Sequence, residues 1–188
     1  MGLCYPGTFK MGYPEDYSNP ETEIEIEHAF LLGATTVTQE LYNAVMKTNP
    51  SYYKGGWGGL PADADMSKHP IENMSIYEAI EFCNKLSKLQ GLDPFYTLKS
   101  YPDANKFPKR QEIGIVSNSK GYRLPEEKEW GYAAKAGTEN RWAGTDDESK
   151  LEEYAWFGGN SFAIESSAQL VATKKPNEWG FYDMSGNV

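Results

Sequence analysis

The chain is poor in the side chains that most often carry metal and nucleophilic chemistry: it has two cysteines and two histidines in 188 residues. Cys4 and Cys83 form no C-x-x-C pair, and two thiols are too few for a disulfide framework. Leu3-Cys4 also lacks the preceding apolar segment that a lipid-attachment site needs. Basic residues are scarce as well, 18 Lys and Arg against 27 Asp and Glu, for a net charge of -9 and a pI near 4.8. They are scattered, which argues against a nucleic-acid partner, because phosphate binding draws on clustered cations. No apolar run approaches the ~20 residues that a membrane span requires. Met1 to Gly12 has neither a basic n-region nor an apolar h-region, so the compartment stays open.

Aromatics and glycine are abundant: 13 Tyr, 5 Trp and 18 Gly, within a hydrophobic content of 39%. That composition suits one core and an irregular α+β or binding domain better than a helical bundle. Pro6 to Gly12 reads as a turn feeding a short strand. Glu23 to Phe30 alternates with period two and reads as one half-buried strand, with Ile24, Ile26, His28 and Phe30 on its apolar face. His28 there is a packed or edge residue rather than a metal ligand. Thr38 is the expected N-cap of a helix over Gln39 to Met46, stopped by Asn49-Pro50.

Ser51 to Lys68 is a long aromatic, glycine-rich loop with no Gly-Lys-Ser/Thr to cradle phosphate. It reads either as an ordinary packed loop or as a carbohydrate or peptide platform built from Tyr53 and Trp57. Asp63 and Asp65 are spaced like the first two ligands of a calcium loop, but the later glycine and distal glutamate are missing, so they read as solvated. Ser75 with Glu78 is a capping box, and Ile76, Ala79, Ile80, Cys83 and Leu86 line the helix that follows until Gly91. On that stripe Cys83 reads as inert packing. Phe95 to Leu98 and Ile113 to Val116 are expected strands, with a polar insertion from Pro102 to Arg110. A further helix is expected with Pro125 at its first position, Gly137 at its end, and Trp130, Ala133 and Ala134 as its packing face. Glu126, Glu127 and Glu129 are explained by its dipole rather than by acid-base chemistry. Tyr154 to Phe157 reads as an aromatic strand or turn, and Leu170 to Ala172 as a short strand.

The closing stretch, Pro176 to Val188, joins turn formers, aromatics and one carboxylate. A segment of this kind is normally found mid-domain, so the expectation is a domain lacking its C-terminal part. The ordered set Gly7 to Gly12, Val37 to Tyr42, Tyr122 to Trp130 and Pro176 to Val188 resembles the formylglycine-generating enzyme family, also called the sulfatase-modifying factor domain, over essentially the whole chain. The resemblance implies one domain over residues 1–188, α+β and C-type-lectin-like, with two or three helices among short antiparallel strands. It implies copper- and oxygen-dependent oxidation of a sulfatase cysteine to formylglycine, on a cysteine pair that lies beyond this chain's last residue. Copper(I) suits soft thiolates, but Cys4 and Cys83 match neither family position.

The resemblance further implies calcium held by the Asp183 carboxylate and the carbonyls of Gly186 and Val188, with a glutamate expected just past Val188. The other reading of Asp183 is a turn cap. The family's second calcium site has an asparagine where this chain has Tyr154 or Ala155. Three functions remain: an oxidase completed by a cysteine-containing region, a non-catalytic lectin-like domain for ligand binding or surface display, or a family member that carries out another iron- or copper-dependent oxidation on a small molecule. The partner is a protein or peptide substrate, or a small ligand. Residues Trp156, Trp179 and Phe181 are expected to expose apolar surface in the chain as it stands.

Overall fold

The computed structural model describes residues 1–12, 17–56, 61–100, 111–157 and 168–188. In chain order the elements are β1 (Gly2–Cys4), β2 (Gly7–Met11), β3 (Thr22–Ile26), β4 (Phe30–Leu32), α1 (Gln39–Met46), α2 (Ile76–Leu89), β5 (Tyr96–Ser100), β6 (Gln111–Ile115), α3 (Glu127–Lys135), a 3₁₀ turn (Glu148–Lys150) and α4 (Leu151–Tyr154). The strands form three antiparallel pairs, β1 with β4, β2 with β3, and β5 with β6. The α+β expectation holds, with four helices in place of two or three among the described residues. The chain divides into two compact units. One comprises Met1–Glu40, Ser51–Glu72 and Pro125–Val188, and the other Leu41–Pro50 and Asn73–Leu124.

In the first unit Phe9 pairs with Ile24 across β2 and β3, while Leu3 pairs with Leu31 across β1 and β4. The buried core joins Cys4, Ile26, Tyr132, Ala133, Phe181 and Met184, with Phe9, Phe30 and Leu32 packed against it. Phe181 is 1% exposed. Full burial of such a ring stabilises by about 1.5–3 kcal/mol. Its place depends on Gly2, where a Cβ would stand 2.5 Å from the ring. Tyr132 on α3 extends the cluster, with ring centroids 5.4 Å from Phe9 and 5.0 Å from Trp179.

Several expectations are corrected in this unit. Glu23 to Phe30 is not one strand: β3 ends at Ile26, and Phe30 belongs to β4, which pairs with β1. The period-two pattern runs straight through the bend between them, so alternation alone hides it. His28 sits in that bend and is exposed rather than on an apolar face. In α3 the N-cap is Glu126, whose N–H donates to Glu129 Oε2 at 2.8 Å, and Pro125 precedes the cap. The buried face is Glu129, Tyr132 and Ala133, with Trp130 46% exposed. Tyr154 ends a helix rather than opening a strand, and Leu170 to Ala172 is a turn in which Ala172 takes φ 57°.

In the second unit Lys47, at φ 62°, already ends α1 before Asn49-Pro50. The rings of Tyr42 and Phe82 stack 5.4 Å apart. The buried face of α2 is Ile80, Phe82, Cys83 and Ser87, rotated from the expected stripe so that Ile76 is 53% exposed. Two polar residues organise it. Ser87 Oγ donates to the Cys83 carbonyl at 2.7 Å and accepts the Tyr122 N–H at 2.8 Å. The Asn84 carboxamide exchanges both hydrogen bonds with the backbone of Tyr96 at the start of β5, at 2.9 and 3.1 Å. Strands β5 and β6 form where expected within about two residues, and the insertion at 102–110 lies outside the described residues.

The α2 capping box is present in both directions, Ser75 N–H to Glu78 Oε2 at 2.8 Å and Glu78 N–H to Ser75 Oγ at 3.3 Å. The bond from the Ser75 N–H, then that from its hydroxyl, hold the Glu78 carboxyl below the usual glutamate range. A lowered carboxyl contributes stability above the unfolded pKa of about 4.3 and loses it as pH falls through the folded value. Replacing Ser75 with Ala is expected to cost about 1 kcal/mol at pH 7. Thermal melts at pH 7 and at pH 3 check this, and the difference between wild type and Ser75→Ala should shrink at the lower pH.

Candidate functional site

The closing segment contains no helix or strand, and its conformation is set by polar side chains that bond the backbone of other segments. Asn177, 5% exposed, donates through Nδ2 to the carbonyls of Ala133 at 2.7 Å and Ala134 at 3.2 Å, near the end of α3. Its Oδ1 accepts the N–H groups of Trp179 and Phe181, both at 3.1 Å. Ser185 Oγ accepts the Ala143 N–H at 2.9 Å. Asn187 exchanges two bonds with the backbone of Gln169, accepting its N–H at 2.7 Å and donating to its carbonyl at 3.1 Å. Its own N–H donates to the Trp156 carbonyl at 2.9 Å. One asparagine thus ties together Trp156 and Gln169.

Asp183 sits within this set at φ 58° and is 7% exposed. Its Oδ2 accepts the Ala172 N–H at 2.9 Å, so it caps a distant turn rather than its own. Its Oδ1 is buried without a hydrogen-bond partner. Burial pushes the carboxyl above the usual aspartate range, against the lowering pull of the Ala172 N–H and the Asn187 amide. A buried oxygen with a spare lone pair and no donor is costly unless water or a cation meets it. Gly186, three residues on, lies so close to Trp156 that a Cβ there would stand 2.0 Å from the Trp156 carbonyl oxygen. Val188 is 63% exposed. Of the three residues expected to bind calcium, Asp183 and Gly186 bound one turn, while Val188 lies two residues beyond it, and the orphaned Oδ1 fits a hard cation. Among the described residues no group of three or more His, Cys, Asp or Glu side chains is placed to hold a metal. A cation here would thus rest on one carboxylate and backbone carbonyls.

The neighbouring surface is cationic and aromatic. Lys174 Nζ stands 3.8 Å from the centroid of the Trp156 ring, whose Nε1 donates to Thr173 Oγ1 at 3.0 Å. Lys175 pairs with Glu153. Of the three aromatics expected to be exposed, Trp179 is 37% exposed and Trp156 half-buried, while Phe181 is in the core. At the position of the second family calcium site Ala155 is 0% exposed and has no side-chain oxygen, while Tyr154 is half-buried and offers only a phenol.

The remaining candidates behave as local structure. Asp65 Oδ1 accepts the Ser67 N–H at 2.9 Å in an exposed turn, and Asp63 is exposed. Tyr52 and Tyr53 meet edge to face at 5.2 Å, with the Tyr53 N–H bonded to Glu72 Oε1 at 2.9 Å. Trp57 lies outside the described residues. Cys4 and Cys83 are 1% and 5% exposed and lie in different units. Burial pushes each thiol up to about 11, with the Glu129 charge adding to the effect at Cys4. Copper(I) is held by thiolates, so these two do not fit it.

The family model for the sulfatase-modifying factor enzyme 1-like domain matches residues 1–188. The chain belongs to that family. Among solved structures, the fold of this sulfatase-modifying factor domain is similar to Treponema denticola variable protein 1, with a TM-score of 0.83 and 37% identity, covering 100% of this chain and 70% of that one. It is also similar to CarF, with a TM-score of 0.69 and 29% identity over 100% of this chain and 77% of that one. PvdO from Pseudomonas aeruginosa shares the fold at a TM-score of 0.62 and 20% identity, over 97% of this chain and 65% of that one. A curated relative, the chaperone protein LppX of Paenibacillus barcinonensis, is 33% identical over 178 residues, 85% of this chain. The chain spans 60% of the length of that relative.

Proposed function

We propose that residues 1–188 serve as a cation-stabilised, lectin-like recognition domain of the sulfatase-modifying factor family, and not as a copper oxidase centre. The observation that carries this reading is the burial of both thiols, with Cys4 1% and Cys83 5% exposed, which leaves neither sulfur open to a metal or a substrate. The partner class is a protein or peptide, in keeping with the chaperone name of LppX. A small ligand is the alternative outcome of a binding screen. The oxidase reading draws its support from the family match over the whole chain, and it requires a cysteine pair supplied by residues outside 1–188.

Calcium is the cation proposed for Asp183, with the carbonyls of Gly186 and Val188 as further oxygen ligands. When bound it would supply the positive charge that the buried Oδ1 lacks, and its role would be to hold the turn rather than to react. Two measurements test the proposal. The chain is incubated with copper, oxygen and a sulfatase-motif peptide, and the peptide is weighed by mass spectrometry; no aldehyde is expected, and its appearance would overturn the recognition reading. Thermal melts with calcium and with chelator should show calcium raising the Tm of wild type and not of Asp183→Asn, which keeps the acceptor for Ala172 and removes the charge. Calcium at 100 times its Kd stabilises by about 2.7 kcal/mol. Equal melts with calcium and chelator would remove calcium from the proposal.

A further inference from the structure

The β1 and β4 pair is apolar on both faces. Gly2, Cys4, Phe30 and Leu32 turn inward, with Cys4 1% exposed and Phe30 and Leu32 packed on the core. On the opposite face Leu3 and Leu31 stand directly across from each other, 50% and 60% exposed, and Met1 and Tyr5 continue the alternation at 64% and 68%. Ala29 and Gly33 flank Leu31 and are also exposed. An antiparallel sheet that meets water on one side normally alternates apolar inward and polar outward. This pair breaks that rule over its full length, without one charged residue from Met1 to Phe9 or from Ala29 to Gly33.

We propose that this outer face is a self-association surface, on which two copies of the chain pack about a two-fold axis with Leu3 of each copy against Leu31 of the other. Charge and area both point to a second copy as the occupant. The chain carries a net charge of -9, so two copies repel wherever carboxylates meet. The β1 and β4 face lets them approach without stacking like charges. Four large side chains at these exposures present on the order of 500 Å², at the upper end of what monomers leave uncovered. Two copies face to face would bury about 1,000 Å², the lower bound for a specific interface, so the expected dimer is a weak one of about micromolar Kd. The Leu3 and Leu31 pairing is self-complementary, as a two-fold contact requires.

Sedimentation velocity of the 188-residue chain from low to high micromolar concentration tests this. Wild type is expected to pass from monomer to dimer and stop there. Leu31→Glu and Leu3→Lys are each expected to weaken self-association at least tenfold, with unchanged circular dichroism because both side chains already face solvent. Mixing these two variants should restore a dimer, since one copy's lysine then meets the other's glutamate while Leu31 and Leu3 still meet at the second contact. Ile115→Glu, at an exposed apolar position in the other unit, should leave the dimer intact. A wild type that stays monomeric throughout, self-association that Leu31→Glu leaves unchanged, or growth beyond the dimer would overturn the proposal.

Discussion

Replacing Asn177 with Ala is expected to lower stability by about 3–5 kcal/mol, seen as a drop of roughly 10 °C or more in thermal melts. Four bonds are lost at once, two donated to the Ala133 and Ala134 carbonyls and two accepted from Trp179 and Phe181. The stranded groups do not reach water easily, because Phe181 is 1% and Ala133 0% exposed. Leaving buried partners unpaired costs more than the net worth of the bonds themselves. Asn177→Asp makes the argument sharper. It keeps both acceptor contacts and nearly the same shape, but sets a carboxylate oxygen against two carbonyl oxygens in a buried place. It should therefore be no more stable than Asn177→Ala. An Asp variant that melts near wild type would show that the ties to α3 carry little energy.

The parts of the fold legible in the sequence are those whose signals are local. The Ser75 and Glu78 box marks the start of α2 because both partners lie within one helical turn, and Pro6 to Gly12 marks β2 because a strand alternates within itself. The failures come where tertiary contacts decide. Nothing within Glu23 to Phe30 says that Phe30 pairs with Cys4 rather than continuing beside β2. Trp130 looks like a better core residue than Glu129. The α3 register is nevertheless set by Tyr132 against Phe9 and Trp179, which places Glu129 inside and Trp130 at the surface. β1 has no sequence signal, because a three-residue strand is too short to show a period and because its outer face is as apolar as its inner one.

In the closing segment, the family pattern points to the turn at Asp183 but not to what holds that turn in place. Asp183 and Gly186 are visible as a carboxylate and a glycine among turn formers, yet the work of holding that turn falls to Asn177, Ser185 and Asn187. Their partners, Ala133, Ala143 and Gln169, are between 18 and 44 residues away in sequence. A carboxamide that bonds backbone offers no sequence signature of its partner, because any residue supplies the N–H and carbonyl it needs. The one available hint is compositional: asparagine recurs at both ends of a segment that has no regular backbone ladder and whose polar groups must find partners elsewhere.

Gly186→Ala is expected to be nearly as damaging, by about 2–4 kcal/mol, through a different cause. The added methyl would meet Trp156 oxygen at 2.0 Å and Trp156 carbonyl carbon at 3.0 Å, and both are backbone atoms that cannot rotate away. The closing segment must withdraw from Trp156, which breaks the Asn187 N–H bond to that carbonyl and draws the Asn187 carboxamide away from Gln169. Most of the damage is thus delivered through Asn187. Asn187→Ala removes the side-chain bonds directly, so the two substitutions act on one set of contacts and should not add. In a double-mutant cycle followed by thermal melts, Gly186→Ala with Asn187→Ala is expected to cost about 1–2 kcal/mol less than the sum of the single changes. Full additivity would mean that the close approach of Gly186 to Trp156 and the clamp on Gln169 are independent, and that the turn carrying Asp183 is held from two sides rather than one.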